Sequence, residues 1–151
     1  MKKTIILVLS FILLANFSCS SDDDKSEVNF IRAKFNNIDT KFNIINVQVT
    51  PEITDPITNY SYKDIIVTAT MNSDAAKTLI ISSEFNVTGS NEIWRFTYIN
   101  NGIFYDLDED NFYSEITKNS DGKYKGTFYG TLSGSAENIV LTDGIFDIIY
   151  Q

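Results

Sequence analysis

From residue 28 to the end of the chain, hydrophobic and polar residues alternate over short stretches. The clearest example is the segment in which Trp94, Phe96 and Tyr98 alternate with Arg95 and Thr97. A period of two places successive side chains on opposite faces of a β-strand, and no long stretch has the spacing of an amphipathic helix. The pattern therefore predicts one all-β domain over residues 28–151.

Turn-forming residues divide this domain into strands. The pairs Asn36-Asn37 and Asn101-Gly102 and the segment 119–122 contain residues that adopt positive φ easily and favour hairpins. Both prolines lie in the segment 51–56, which predicts a loop. About nine or ten strands with short connections fit a single antiparallel domain, either a β-sandwich, which we slightly prefer, or a closed barrel-like sheet.

Two glycines interrupt a bulky side of the strand pattern near residue 128. Gly126 and Gly130 share their parity with Tyr124, Phe128 and Leu132. Glycine inside a strand is typical of a bend or of a close approach by another group. We therefore expect the chain to bend here, or a large side chain to cross over these glycines.

The beginning of the chain has a different character. Two lysines precede the run 4–15, which is apolar apart from Thr4 and Ser10. This run is too short for a transmembrane helix, which needs about 20 residues. Ser18 and Cys19, the one cysteine of the chain, follow shortly after the run. The arrangement predicts a lipoprotein signal peptide over residues 1–18.

Cys19 is the predicted attachment point for acyl chains, and two or more such chains hold a protein stably on a membrane. An isolated cysteine in an exported chain has no partner for an intramolecular disulfide, so lipidation explains its presence. Residues 19–27 contain no aliphatic or aromatic side chain and predict an acidic, flexible tether. The alternative is an ordinary secretory leader followed by an incidental cysteine.

The residues around Cys19 resemble two signals of bacterial lipoproteins. Residues 16–19 resemble a lipobox, although Asn16 and Phe17 depart from its usual aliphatic and small residues. The following run resembles the export signal of Bacteroidota lipoproteins and consists of Ser20, Ser21, Asp22, Asp23 and Asp24. This resemblance implies a lipid-anchored protein of the outer membrane that faces the cell exterior. A solvated spacer without an address is the alternative.

The domain itself resembles small uncharacterised Bacteroidota lipoproteins that are classified as domains of unknown function. The similar segments are IRAKFNN (31–37), GTFYGTL (126–132) and IVLTDGIF (139–146). The turn Asn36-Asn37 departs from the Asn-Gly that the family leads us to expect. The resemblance implies a lipid anchor and a β fold, and it implies no activity or catalytic residue.

Charge and composition exclude several classes of function. The net charge is −8, and two of the 12 Lys and Arg residues lie in the leader, so the domain is more acidic still. Such a charge disfavours nucleic acid and argues against membrane binding by charge. Histidine is absent and no cysteine follows Cys19, which excludes serine–histidine triads, thiolate nucleophiles and the usual zinc sites. No cofactor is expected.

The sequence therefore favours a non-enzymatic binding or structural domain. A glycosidase-like hydrolase would need paired carboxylates. The carboxylates available for it are Glu84, Glu92, Asp108, Glu115 and Asp147.

The densest acidic segment suggests calcium, which takes several oxygen ligands. Asp106, Asp108 and Asp110 match the first, third and fifth positions of an EF-hand loop. Asn111 stands where the motif needs glycine, and Thr117 stands where it needs a bidentate glutamate, so the motif fails. A looser calcium site and a solvated loop are the two interpretations that remain.

The aromatic side chains of Trp94, Phe96 and Tyr98 share one parity and have two interpretations. With Tyr105, Tyr113 and Tyr129 elsewhere in the chain, they could form a face or cavity that binds a glycan or a small apolar ligand. Alternatively they could fill the core, since aromatic side chains bury large areas. The exposure of Trp94 discriminates between the two. The sequence does not identify the protein or glycan partner.

Overall fold

A computed structural model describes residues 29–135 and 137–151. All regular secondary structure in these ranges is β-strand. The prediction of an all-β domain is confirmed. The signal peptide, Cys19 and the run from Ser20 to Asp24 lie outside the described residues. Those parts of the sequence analysis stay predictions.

Twelve strands are present in the described ranges, of which four have only two to five residues. They are β1 (Phe30–Phe35), β2 (Ile38–Phe42), β3 (Ile44–Val49), β4 (Ile53–Thr54), β5 (Ser61–Tyr62), β6 (Asp64–Met71), β7 (Asp74–Glu84), β8 (Gly89–Ser90), β9 (Ile93–Asn100), β10 (Ile103–Ser120), β11 (Lys123–Gly134) and β12 (Asn138–Ile149).

Nine of these strands form one antiparallel sheet in the order β2-β1-β12-β11-β10-β9-β7-β6-β3, while β8 adds to β10 and β4 pairs with β5. The two ends of this order are consecutive in the chain, because only Asn43 separates β2 from β3. The Asn43 backbone N–H donates to the Thr70 carbonyl at 3.2 Å, and its side-chain oxygen accepts from the Asn72 N–H at 3.0 Å. The sheet is therefore nearly closed and barrel-like, which is the second of the two predicted architectures.

The predicted hairpin turns are confirmed by the backbone. Asn36 and Asn37 have φ of 48° and 65°, Asn101 has 51°, and Asp121 has 55°. Asparagine and aspartate adopt this left-handed region more easily than other residues with a side chain. The asparagine and aspartate residues that predict these turns are therefore the ones that adopt positive φ in them.

Aromatic rings fill the interior of the barrel-like sheet. The ring centroids of Phe96 and Phe128 lie 4.7 Å apart, and those of Tyr124 and Phe146 lie 4.6 Å apart. All four side chains are almost completely buried. Tyr124 donates its hydroxyl proton to Ser83 at 3.0 Å, which satisfies the polar end of the ring. A ligand must therefore bind outside this packed core.

A large side chain crosses over Gly126, as the sequence predicts, whereas backbone atoms approach Gly130. A Cβ atom added to Gly126 would lie 2.5 Å from the Phe146 ring, which crosses over this position. A Cβ atom added to Gly130, whose φ is +134°, would lie 2.1 Å from the Asn111 carbonyl oxygen. Any side chain at either position would overlap its neighbour.

We expect Gly126→Ala to lower the free energy of unfolding by about 2 to 3 kcal/mol, because the added methyl group overlaps the Glu115 carbonyl oxygen and the Phe146 ring, so that strand and core must shift. Gly102→Ala is the control: its Cβ atom would meet nothing within 4 Å, so only the positive φ opposes it, at about 1 kcal/mol. Urea unfolding of both variants measures the difference. Equal losses would contradict the steric explanation.

Candidate functional site

Trp94 lies on the outer surface because a β-bulge changes the pattern at the start of β9. Ser82 of β7 opposes Arg95, but Ser83 opposes Ile93, so Trp94 is an extra residue in β9. Ile93 points into the core and is 5% exposed, whereas Trp94 is 56% exposed. Bulges commonly change the direction of a side chain in this way.

The bulge divides the aromatic group that the sequence placed on one face. Phe96 and Tyr98 are 0% and 5% exposed and belong to the core, where the Tyr98 ring lies 4.7 Å from that of Phe35. For Phe96 and Tyr98 the second interpretation, filling of the core, is the one that the structure shows, so neither presents its ring to a ligand. Trp94 alone of the three is available to a ligand.

Two tyrosines accompany Trp94 on this surface. Tyr60, Tyr62 and Trp94, together with Asp64 and Glu84, line a depression of about 390 Å³ that we call the tryptophan depression. The Tyr60 and Tyr62 rings stack with centroids 6.0 Å apart and an interplanar angle of 15°. Tyr60 is 54% exposed, so this ring, like Trp94, presents area to solvent. Neither tyrosine was selected from the sequence. The spacing of two residues from Tyr60 to Tyr62 and from Tyr62 to Asp64 is the pattern that could have indicated them.

Two carboxylates face each other in the tryptophan depression. Asp64 of β6 and Glu84 of β7 are directly opposed across the strands, an arrangement of like charges that destabilises a sheet. The Tyr60 hydroxyl donates to Glu84, and this hydrogen bond raises the pKa of Tyr60. Partial burial raises the pKa of Asp64, the Trp94 indole N–H opposes this by donating to the carboxylate, and the charge of Glu84 raises it again. Such a costly arrangement is typical of a functional site.

The other proposed carboxylates are dispersed. Asp147 forms an ion pair with Lys125 at 2.6 Å, and Glu115 accepts a hydrogen bond from Ser90 at 2.5 Å. Glu92 lies beside Gly89. Of the five carboxylates proposed for a hydrolase, Glu84 alone shares a surface depression with a second carboxylate among those described here.

The three aspartates of the suggested calcium loop lie in β10, where two of them already accept hydrogen bonds from other groups of the protein. Asp106 accepts a hydrogen bond from Thr97 at 2.7 Å, and Asp108 accepts one from the Asp110 N–H at 3.1 Å. In residues 29–135 and 137–151, no group of three or more acidic, histidine or cysteine side chains is arranged to hold a metal ion. The looser calcium site has no support in this arrangement.

Comparison with protein-family models, with curated proteins and with solved structures finds no match. The resemblance to Bacteroidota lipoproteins stays a prediction, and function must be inferred from the geometry described above. Within the part of the chain that the structure describes, no helix is long and apolar enough to span a membrane.

We expect Asp64→Asn to stabilise the fold at pH 7 by a few tenths of a kcal/mol, because it removes one of two opposed like charges. The raised pKa means that the folded state holds the Asp64 proton more tightly than the unfolded state does, so ionisation costs stability as the pH rises. The gain should therefore shrink below about pH 4, near the ordinary aspartate pKa. Urea unfolding at several pH values measures it.

Asp121→Asn is the matched control for this prediction. Hydrogen bonds from Lys118 and Ser120 lower the pKa of Asp121, so its charge stabilises the folded state above the ordinary aspartate pKa. This variant should be less stable than the wild type at pH 7. A loss of stability for Asp64→Asn at pH 7 would contradict the proposed repulsion.

Proposed function

We propose that this protein is a lipid-anchored lipoprotein of the bacterial outer membrane, facing the cell exterior, whose β domain binds a glycan and performs no catalysis. The observation that carries the proposed ligand is the exposed Trp94 in one depression with the stacked rings of Tyr60 and Tyr62 and two carboxylates. The proposed anchor rests on the sequence around Cys19.

A glycan matches both kinds of surface in the tryptophan depression. A sugar ring has apolar C–H faces that pack against aromatic rings, and hydroxyl groups at its edge that donate hydrogen bonds. The Trp94 and Tyr60 rings supply the apolar contact, and the Asp64 and Glu84 carboxylates accept the hydrogen bonds. A small apolar ligand, the second candidate, would take water from both carboxylates without replacing their hydrogen bonds, which costs free energy.

The position of the depression in the sheet suits a tethered protein. The predicted tether leads into β1, and three strands, β12, β11 and β10, lie between β1 and β9, which carries Trp94. Trp94 is thus on the opposite side of the barrel-like sheet from the strand nearest the proposed anchor. A protein held through Cys19 could present this side to ligands outside the cell.

Binding is a better proposal than hydrolysis for the same residues. Glycosidases place their two carboxyl groups on either side of the bond that they cleave. Asp64 and Glu84 are neighbours on one surface of the sheet, so both meet the same side of a ligand. A carboxylate-based hydrolase therefore ranks third.

Trp94 is the one tryptophan of the chain, so its fluorescence reports directly on the proposed site. We expect emission near the solvent-exposed limit and strong quenching by acrylamide, because the side chain is 56% exposed. A bound glycan should shift the emission to shorter wavelength and protect against quenching. Blue emission that acrylamide does not quench would contradict the exposed site.

On an array of neutral, amine-bearing and acidic oligosaccharides, we expect the full-length protein to bind, and Trp94→Ala to weaken binding about tenfold or more, because it removes the central aromatic contact. Phe104→Ala is the matched control, since Phe104 is 58% exposed but lines none of the depressions described here. Equal effects of the two variants would contradict the proposed site.

The anchor is tested separately from the ligand. Cys19→Ser should release the protein from the membrane fraction of a Bacteroidota host, because the acyl chains supply the proposed attachment. Replacing Asp22, Asp23 and Asp24 together with alanine should keep the lipid but remove accessibility to protease in intact cells. Membrane retention of Cys19→Ser, or unchanged accessibility of the triple variant, would contradict the corresponding part of the proposal.

A further inference from the structure

Two more depressions adjoin the tryptophan depression on the outer surface. The middle depression, about 280 Å³, is lined by Trp94, Glu109 and Tyr113 among others. The tyrosine depression, about 200 Å³, is lined by Tyr113, Glu115 and Tyr129 among others. Trp94 lines the first two depressions and Tyr113 lines the last two, so each depression shares an exposed aromatic side chain with the next.

The middle depression lies where β9 and β10 separate. The two strands pair at one end as far as Thr97 and Asp106. At the other end Asn91 holds Ser114, because its N–H donates to the Ser114 carbonyl at 2.7 Å and its side-chain oxygen accepts from the Ser114 N–H at 3.1 Å. Between these points the segment 108–111 forms an irregularity in the pairing of β10 with β11. Glu109 is the residue of this irregular segment that lines the depression.

The tyrosine depression repeats the chemistry of the tryptophan depression. Tyr113 and Tyr129 are directly opposed on β10 and β11, and their rings stack with centroids 5.1 Å apart at 21°. Cross-strand aromatic pairs stabilise sheets, which accounts for the pairing. However, 44% of Tyr113 and 56% of Tyr129 stay exposed, and the Glu115 carboxylate and the Ser90 hydroxyl lie beside them. A sugar ring could pack here as it could against Trp94.

The charges along the three depressions are all negative. Asp64 and Glu84 line the first, Glu109 the middle and Glu115 the third, and no lysine or arginine lines any of these three. A row of carboxylates repels an anionic ligand and accepts hydrogen bonds from hydroxyl or ammonium groups. An ammonium group would also be attracted to the exposed aromatic faces.

We propose that the three depressions form one track that binds a single neutral or amine-bearing glycan chain, long enough to contact Trp94 and the Tyr113–Tyr129 stack together. This inference rests on the proposed glycan binding and adds the length and charge of the ligand. Contact at both ends raises the affinity of a long chain above that of a fragment that reaches only one end.

The test compares neutral and amine-bearing oligosaccharides of two to eight sugars with acidic ones of the same lengths, using the full chain purified in mild detergent. Longer neutral or amine-bearing chains should bind more tightly than disaccharides. The double variant Tyr113→Ala, Tyr129→Ala should weaken the long chains about tenfold or more and leave the binding of disaccharides at Trp94, measured by its fluorescence, unaffected. Trp94→Ala should weaken both.

A second variant keeps the test valid if the double variant does not fold. Glu109 lies exposed on the irregular segment of β10, so Glu109→Lys should leave the fold intact. It should weaken amine-bearing chains and strengthen acidic ones. Urea unfolding of each variant verifies the fold.

The outcomes separate this inference from the proposed function. Equal binding of short and long chains, with no effect of the tyrosine variants, would overturn the track while glycan binding stands. Preference for acidic chains, or no effect of Glu109→Lys on charged ones, would overturn the charge assignment. Binding of no chain at all would overturn the proposed function and this inference together.

Discussion

A sheet that nearly closes on itself must fill its interior with every second side chain of its strands, and this requirement decides where a ligand can bind. The rings of Phe42, Phe96 and Phe128 lie in that interior and are almost completely buried. With the core packed at such density, the protein has only its outer surface for recognition. The aromatic side chains that a ligand can reach are therefore the exposed ones beside the depressions.

Irregularities in the sheet place two of the side chains that line the depressions, Trp94 and Glu109. An extra residue in β9 turns Trp94 outward, and an irregular segment of β10 places Glu109 beside the middle depression. Both irregularities lie on the same side of the barrel-like sheet, and β9 and β10 are neighbours in the strand order. Regular pairing would have kept the alternation and left this surface without Trp94.

The electrostatics of this surface work against the stability of the fold. Asp64 and Glu84 are opposed across two strands, and burial and the charge of Glu84 raise the pKa of Asp64 against the hydrogen bond from Trp94. A sheet under selection for stability alone would replace one of the two. The proposed binding gives the arrangement a physical reason, because a ligand at this site would donate hydrogen bonds to both carboxylates.

The sequence by itself determined the local features of this protein. Alternation predicted the strands, and asparagine and glycine predicted the turns, because each depends on backbone geometry or periodicity within a few residues. Gly126 predicted either a bend or a crossing side chain, and only the pairing of β11 with β12 decided that the Phe146 ring crosses there. Tertiary structure decided the closure at Asn43, the outward turn of Trp94 and the meeting of Tyr60 with Glu84. These depend on the register between strands far apart in the chain, and a shift of one residue in register changes the face of every side chain that follows.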